Sequence, residues 1–394
     1  MKKRILTLIL TAVMCLGSLT SCVLLNGEGL LGGTGEPGDT VINVEGGDNY
    51  DIKIESSNNN SLLAASKALL SSVSVTTETA AGSGVIYKLD KEKGDAYIIT
   101  NFHVVHKSNT NSISDRINVY LYGMEAAEYA IPATYVGGSI NYDIAVLKVM
   151  GNVTLMGSNA MPVTVANSDE VAILETVIAI GNPEADGISA TVGCINVESE
   201  NISVEFQVQN STKVVTLRVM RTDAAVNSGN SGGGLFNDKG ELVGIVNAKS
   251  SDTLTDNIGY AIPSNVARAI ADNIIHYCDG RTKISVYRCM MGVTVGIKEM
   301  YTEYDKETGK IYKRETVIVS EVSTGGVANG RLNAGDVVNS ITIDGVTHKV
   351  TRTYHLVDTM LDARVGSQVT INVTRDGASV DVEIPITENT LTEY

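Results

Sequence analysis

Ser231 sits in Asn227-Ser228-Gly229-Asn230-Ser231-Gly232-Gly233, a serine between glycines, where a hydroxyl is presented beside bare backbone N–H groups. A serine hydroxyl is a poor nucleophile at neutral pH unless a neutral imidazole takes its proton and a carboxylate fixes that imidazole's tautomer and orientation. Among the five histidines, His103 directly follows the β-branched run Ile98-Ile99-Thr100 and so lies at a strand end. Asp143 opens a second apolar run, Ile144-Ala145-Val146-Leu147-Lys148-Val149, where a carboxylate drawn into low dielectric needs a partner. Taken singly, each has an ordinary explanation: a core histidine, a strand-capping aspartate, a glycine-rich turn. The order His103, Asp143, Ser231 is one in which catalytic triads occur, and the chemistry would be acyl transfer to serine. The spacing His103-x-x-His106 invites a metal reading. No cluster with ligand spacing accompanies it, a closed site needs about four ligands, and neither metal nor organic cofactor is expected.

Thr100-Asn101-Phe102-His103-Val104-Val105, Asp143-Ile144-Ala145-Val146-Leu147-Lys148 and Thr222-Asp223-Ala224-Ala225 through Gly229-Asn230-Ser231-Gly232-Gly233 resemble the HtrA/Deg family of trypsin-fold serine proteases, over about residues 61 to 390. The resemblance implies a mainly β chain: a trypsin-like double β-barrel protease domain followed by one PDZ domain of α+β type. It also implies an ATP-independent endopeptidase that degrades or processes damaged extracytoplasmic proteins, a homotrimer, and gating through the PDZ domain. In this fold the N–H of the nucleophile and of the residue two before it face the developing oxyanion, here Ser231 and Gly229. The floor of the primary specificity pocket falls on Ala225, and the strand Leu242 to Ala248 lines the cleft, making Asn247 and Ala248 pocket candidates. With no charge at Ala225, cleavage after small or medium aliphatic residues is expected.

Family members usually carry proline at the positions of Ser228 and Gly234, so this chain departs from the pattern on both sides of the nucleophile turn. Losing proline raises the entropy of the unfolded loop and motivates a second reading, a chaperone-like or latent binding protein on the same fold. A third makes the chain a non-enzymatic surface lipoprotein that scaffolds partners through its last domain. The complete triad argues against both.

The elements that must position these residues are readable in outline. A first barrel is expected from Gly82-Ser83-Gly84-Val85-Ile86-Tyr87 to about Val165 and a second from about Val171 to Ile262, with the site between them. A helix then runs from Ser264, its expected N-cap, to about Tyr277, with Val266, Ile270 and Ile274 on one face. The C-terminal part has strands at Val317–Val322, Ile341–Ile343, Val369–Val373 and Val380–Ile384, turn signals at Asp344-Gly345 and Asp376-Gly377, and a helix over roughly Thr353 to Ala363. With Gly330 to Val338 this order resembles a PDZ domain of the HtrA type. Met290-Met291-Gly292-Val293 matches its carboxylate-binding loop, which holds a C-terminal peptide while that peptide adds a strand. Met290 and Met291 are expected as an adaptable apolar lip. The predicted organisation is therefore 1–21 signal, 22–60 tether, 61–278 protease domain and 284–390 PDZ domain.

Lys2-Lys3-Arg4, the apolar stretch Ile5 to Leu16 and Leu19-Thr20-Ser21-Cys22 form a secretory signal of lipoprotein type. Cys22 is then the lipidated residue and membrane anchor; an uncleaved helix continuing to Leu25 and ordinary secretion are the alternatives. All three place the body outside the cytoplasm, in the first two anchored to the bacterial cell membrane. Asn26 to Asn60 is rich in Gly, Asp, Glu and Asn and reads as a tether, in which Val41–Val44 and Tyr50–Ile54 alternate enough for a small hairpin. A helix over Leu62 to Leu70 follows. Of five cysteines only Cys194, Cys278 and Cys289 remain beyond Cys15 and Cys22, an odd number that builds no disulfide framework and leaves a Cys278–Cys289 bridge open. A net charge of −15 excludes nucleic acid as a partner, because phosphate binding needs a Lys/Arg footprint.

Overall fold

The computed structural model describes residues 42–45, 51–54, 60–247, 258–278 and 284–394. The signal 1–21, Cys22, most of the 22–60 stretch and Ala248 lie outside the described residues. Strands β1 (Ile42–Glu45) and β2 (Asp51–Ile54) pair antiparallel with Ile42 opposite Ile54, the small hairpin that the alternation predicted. Helix α1 (Asn60–Ser71) buries Ala64 and Ala68 and leads straight into the first barrel.

That barrel comprises β3 (Ser72–Thr77), β4 (Ala81–Asp90), β5 (Asp95–Thr100), the one-turn helix α2 (Phe102–Val105), a short hairpin of β6 (His106–Lys107) and β7 (Ser112–Ile113), then β8 (Ile117–Leu121), β9 (Ile131–Ser139) and β10 (Ile144–Val149). It closes in the order β10-β5-β4-β3-β8-β9. Strand periodicity explains the packing: Ile117, Val119 and Leu121 point inward with Val73, Val75, Ile98 and Leu147, while Asn118 and Tyr120 between them are only half-buried. A short helix α3 (Val153–Gly157), capped by the Asn152 side chain on the Leu155 N–H, carries the chain across.

The second barrel closes in the order β11-β12-β13-β16-β15-β14, formed by β11 (Thr176–Gly181), β12 (Ser189–Val208), β13 (Ser211–Thr222), β14 (Gly234–Phe236), β15 (Leu242–Asn247) and β16 (Gly259–Pro263). Gly234, one of the two departures from the family pattern, lies under the Phe236 ring, and a Cβ there would approach Cε2 to 2.3 Å. Strands β12 and β13 extend well beyond the barrel, and Val204, Phe206, Val215 and Leu217 pack there with Tyr260. Helix α4 (Ser264–Cys278) buries Val266, Ile270 and Ile274 along the predicted face, in one cluster with Val146 and Ile144 of the first barrel and Ile245 of the second. Ser264 is not an N-cap: it is the first helical residue, and its hydroxyl donates to the Ala166 carbonyl at 2.8 Å.

The C-terminal domain has β17 (Tyr287–Cys289), β18 (Val293–Tyr304), β19 (Ile311–Val322), β20 (Val337–Ile343), β21 (Val346–Lys349), α5 (Thr353–Thr359), β22 (Gln368–Arg375), β23 (Ala378–Pro385) and β24 (Leu391–Glu393), the last pairing β17. The expected helix ends at Thr359 and continues as a single 3-10 turn, Met360–Asp362. Both predicted turns form: Asp344 and Gly345 have φ of 50° and 87°, Asp376 and Gly377 have 49° and 81°, the paired positive values that a two-residue hairpin needs. The long β18–β19 hairpin reaches the protease domain, where Lys310 pairs with Glu175 at 2.6 Å. Beside it Arg352 pairs with Glu198 at 3.2 Å, Arg218 with Asp358, and Arg268 forks onto both Asp362 oxygens at 2.9 and 2.5 Å. Burial raises the Asp358 carboxyl above the ordinary range, with Arg218 opposing. Cys194, Cys278 and Cys289 are free thiols, so the open Cys278–Cys289 bridge is absent.

Candidate active site

β5 ends at Thr100, and α2 begins two residues later, so His103 sits in the first turn of a short helix at the barrel rim. Asp143 ends the β9–β10 turn with φ of 50°, a left-handed conformation that costs a non-glycine residue roughly 1–2 kcal/mol. Two bonds hold it: its carbonyl accepts from the Asn101 Nδ2 at 2.8 Å and from the Phe102 N–H at 3.2 Å. Its carboxylate, fully buried, accepts from the His103 N–H at 3.0 Å on Oδ1 and meets His103 Nδ1 at 2.7 Å on Oδ2. With Nδ1 as the donor, Nε2 of His103 is left as the basic nitrogen.

Oδ2 of Asp143 also accepts from Nδ2 of Asn247 at 2.9 Å. The sequence reading placed Asn247 in the specificity pocket; here, at the end of β15, its side chain is buried with Nδ2 on the carboxylate. Ala225 is exposed, with its carbonyl accepting from Thr191 Oγ1 at 2.9 Å; Ala248 cannot be placed beside it because it lies outside the described residues.

The Ser231 segment consists of two consecutive turns. Asn230 N–H donates to the Asn227 carbonyl and Gly233 N–H to the Asn230 carbonyl, each at 3.0 Å, with Gly229 and Gly232 third in their turns at φ of 96° and 86°. A type II turn needs a positive φ there, which is why glycine recurs at this spacing. Space enforces the same choice: a Cβ on Gly229 would fall 2.2 Å from the Asn182 carbonyl oxygen, and one on Gly232 would fall 2.2 Å from the Ser83 carbonyl oxygen. The second contact seats the Ser231 turn of the second barrel on β4 of the first. Thr100 Oγ1, three residues before His103, donates to the same Ser83 carbonyl at 2.6 Å. Ser231 is buried within this junction, at 6% exposure.

Three carbonyls of the turn are held by residues outside it. The Ser228 carbonyl accepts from the Glu184 N–H at 2.9 Å, that of Gly229 from Ser83 Oγ at 2.7 Å, and that of Ser231 from the Ser83 N–H at 2.8 Å. In a planar trans peptide the N–H opposes the carbonyl, so pinning the Ser228 and Asn230 carbonyls aims the N–H groups of Gly229 and Ser231 the other way. Sequence reading missed Ser83, Asn182 and Glu184. Their only signal is position, Ser83 in a Gly-Ser-Gly that opens β4 and the others in Gly181-Asn182-Pro183-Glu184 at the end of β11.

In the C-terminal domain Met290 is half exposed and Gly292 has φ of 70°. Met291 is not a lip residue as expected: it is buried in the domain core with Val317, Ala328 and Leu332. Its carbonyl accepts from Ala328 N–H at 3.1 Å and that of Gly292 from Ser323 N–H at 2.7 Å, fixing the loop ahead of Val293.

Residues 82–245 match a trypsin-like peptidase domain and 290–386 a PDZ domain. The chain is similar to the serine protease Do-like HtrA of Bacillus subtilis (strain 168), 32% identical over 343 residues that cover 84% of this chain and 68% of the relative. It is 30% identical over 315 residues to the periplasmic serine endoprotease DegP of Escherichia coli (strain K12), covering 79% of this chain and 57% of the relative, so the chain spans little more than half of that protein. Among solved structures, the HtrA-type protease AlgW with tripeptide shares 26% identity over 84% of this chain and 97% of its own, at a TM-score of 0.51. With a trypsin-like peptidase domain, one PDZ domain and these relatives, the chain belongs to the HtrA family of serine proteases.

Proposed function

We propose that the protein is an extracytoplasmic, ATP-independent serine endopeptidase acting on unfolded or misfolded proteins. The observation that carries this is the buried Asp143 carboxylate holding His103 by its ring and its backbone, together with a serine turn whose Ser228, Gly229 and Ser231 carbonyls are held by Glu184 and Ser83. In the reaction His103 takes the proton of Ser231 Oγ as that oxygen attacks the scissile carbonyl carbon. The resulting oxyanion is received by the N–H groups of Gly229 and Ser231. His103 then returns the proton to the departing amine, and water, activated by the same imidazole, hydrolyses the acyl-enzyme. Asp143 keeps the imidazole oriented and stabilises its charged form throughout.

Ala225 and Ala248, both uncharged, are the proposed pocket, suited to small or medium aliphatic side chains. Met290 to Val293 with the β18 edge form the proposed site for C-terminal peptides; the tripeptide named with AlgW is consistent with peptide binding in this class of protein. Export rests on the basic and apolar N-terminal segment and on the periplasmic relative, anchoring on lipidation of Cys22, and trimer formation on the family resemblance. The full chain and its Ser231→Ala variant, each incubated with casein, test the reading. Fragments from the wild type alone, ending after aliphatic residues, are expected. Cleavage by both, or by neither with or without a hydrophobic C-terminal peptide, overturns it in favour of a binding protein.

A further inference from the structure

Ser83 belongs to the first barrel, yet it holds two carbonyls of the turn proposed to receive the oxyanion, those of Gly229 and Ser231. Its hydroxyl, on a residue 1% exposed, accepts the Asn182 N–H at 2.8 Å and lies 2.7 Å from the Gly229 carbonyl oxygen. A hydroxyl has a single proton, and an amide N–H can only donate. The Asn182 bond therefore occupies a lone pair and leaves the proton for Gly229. Its own N–H donates to the Ser231 carbonyl at 2.8 Å, and its own carbonyl is held by Thr100 Oγ1 at 2.6 Å. One residue thus fixes the carbonyls of both amino acids whose N–H groups are proposed to meet the oxyanion.

The same hydroxyl couples the turn to the segment after β11. Asn182 donates from Nδ2 to Ser74 Oγ at 2.6 Å and accepts the Gly187 N–H on Oδ1 at 2.7 Å, so it is itself immobilised between β3 and the end of its own loop. Within that loop Glu184 supplies the N–H that holds the Ser228 carbonyl. The backbone packs closely around the hydroxyl: a Cβ on nearby Gly181 would come within 2.9 Å of the Ser83 Oγ.

We infer that Ser83 is a positioning residue for the oxyanion hole, acting through the Gly229 and Ser231 carbonyls without touching substrate. This rests on the protease reading above. Truncating it leaves the Gly229 carbonyl and the Asn182 N–H buried and unpartnered, and loosens the Gly229–Asn230 plane, which lies between the two planes that carry the proposed hole donors; the backbone bond to the Ser231 carbonyl survives. Removing a hole donor outright typically costs about 10²- to 10³-fold in kcat. A donor that is loosened but still present should cost less, about 10- to 100-fold, in kcat with KM little changed.

The test compares a tripeptide aldehyde ending in valine, whose adduct with Ser231 places an oxyanion in the hole, with the matching alcohol, which binds without forming one. Both inhibition constants are measured on the wild-type chain and on Ser83→Ala, beside thermal unfolding. Aldehyde binding weakened about tenfold or more beyond any loss of alcohol binding supports the inference. Equal losses of both, or neither lost, overturn it, because a merely structural serine would not separate them. Should Ser83→Ala fail to fold, the ratio is read on Ser83→Cys, whose poorer donor must move it the same way. A wild type that neither cleaves casein nor distinguishes aldehyde from alcohol overturns the parent reading and this inference together.

Discussion

Asn247→Ala separates orientation of the proposed triad from lining of the proposed pocket. The Asp143 carboxylate accepts from the His103 ring at 2.7 Å, the His103 N–H at 3.0 Å and Asn247 Nδ2 at 2.9 Å, with no solvent exposure. A hydrogen bond to a charged group contributes roughly 1.5–3 kcal/mol. At about 1.4 kcal/mol per factor of ten, complete expression of that loss in the barrier would slow the reaction about 10- to 150-fold. Two donors survive the substitution and both come from His103, so the carboxylate keeps its contact with the imidazole and the lower end applies, about 10-fold in kcat/KM. The assay is a set of peptides differing only in the residue before the cut: alanine, valine, leucine and lysine. Orientation of the imidazole is common to all of them, so every peptide should slow by the same factor. A change in the order of preference, or a loss under twofold for all, would refute the reasoning and return Asn247 to the pocket.

Three further outcomes follow from the packing. Gly229→Ala forces a Cβ to within 2.2 Å of the Asn182 carbonyl oxygen at a φ of 96°; kcat should fall about 10²- to 10³-fold while far-UV circular dichroism stays native, and retained activity would mean the turn is not the hole. Arg218→Ala leaves the buried Asp358 without its cation, costing about 3 kcal/mol of docking between the two domains. Small-angle scattering should show a larger radius of gyration, with recovery in the Arg218→Ala/Asp358→Asn double variant; an unchanged radius sinks it. Arg375 grips both Asp336 oxygens at 2.7 Å and holds that carboxyl below its ordinary range. A depressed carboxylate stabilises above its unfolded value, near 4, and loses that contribution as pH falls through the folded value. Thermal unfolding followed from pH 5 down to pH 2 should therefore steepen in the wild type and flatten in Asp336→Asn.

The residues proposed as the triad could be picked out because each is announced by its own neighbours: an apolar run before His103, another after Asp143, glycines around Ser231. The Asp-Gly turns were legible for the same reason, since the backbone conformation they need is written in two adjacent residues. Asn247, Ser83 and Asn182 are of another kind. Their roles come from partners 104, 146 and 108 positions away, and no local pattern records such a meeting. The outer part of β18 was illegible for a different reason. From Lys298 to Tyr304 it is exposed on both faces, so it lacks the apolar alternation by which a strand is recognised. Met291 shows the limit of matching positions to a family, because a loop position fixes the backbone and not the direction in which a flexible side chain packs.

The departures at Ser228 and Gly234 can now be weighed against what surrounds them. Gly234 is roofed by Phe236, so the local stiffness a proline would give is replaced by packing. Ser228 is second in the turn closed by Asn230 N–H on the Asn227 carbonyl, a position where type II turns hold φ near −60° and accept proline. Its carbonyl is already held by the Glu184 N–H, but Glu184 and the next residue, Ala185, both carry positive φ, 56° and 64°. Left-handed residues other than glycine are under strain, so that bond is made by a segment with a reason to leave. Ser228→Pro should then pre-set the turn independently of Glu184, stabilising the chain by about 0.4–1 kcal/mol through the unfolded state. If the resting hole is partly lost when the Glu184 segment leaves the Ser228 carbonyl, kcat rises as well, and KM for a short peptide stays put. Chemical denaturation and steady-state kinetics on the variant read the two effects separately. A fall in stability would mean that the backbone around Ser228 does not have the conformation assigned to it, and a fall in kcat at unchanged stability would mean that the turn must flex for turnover.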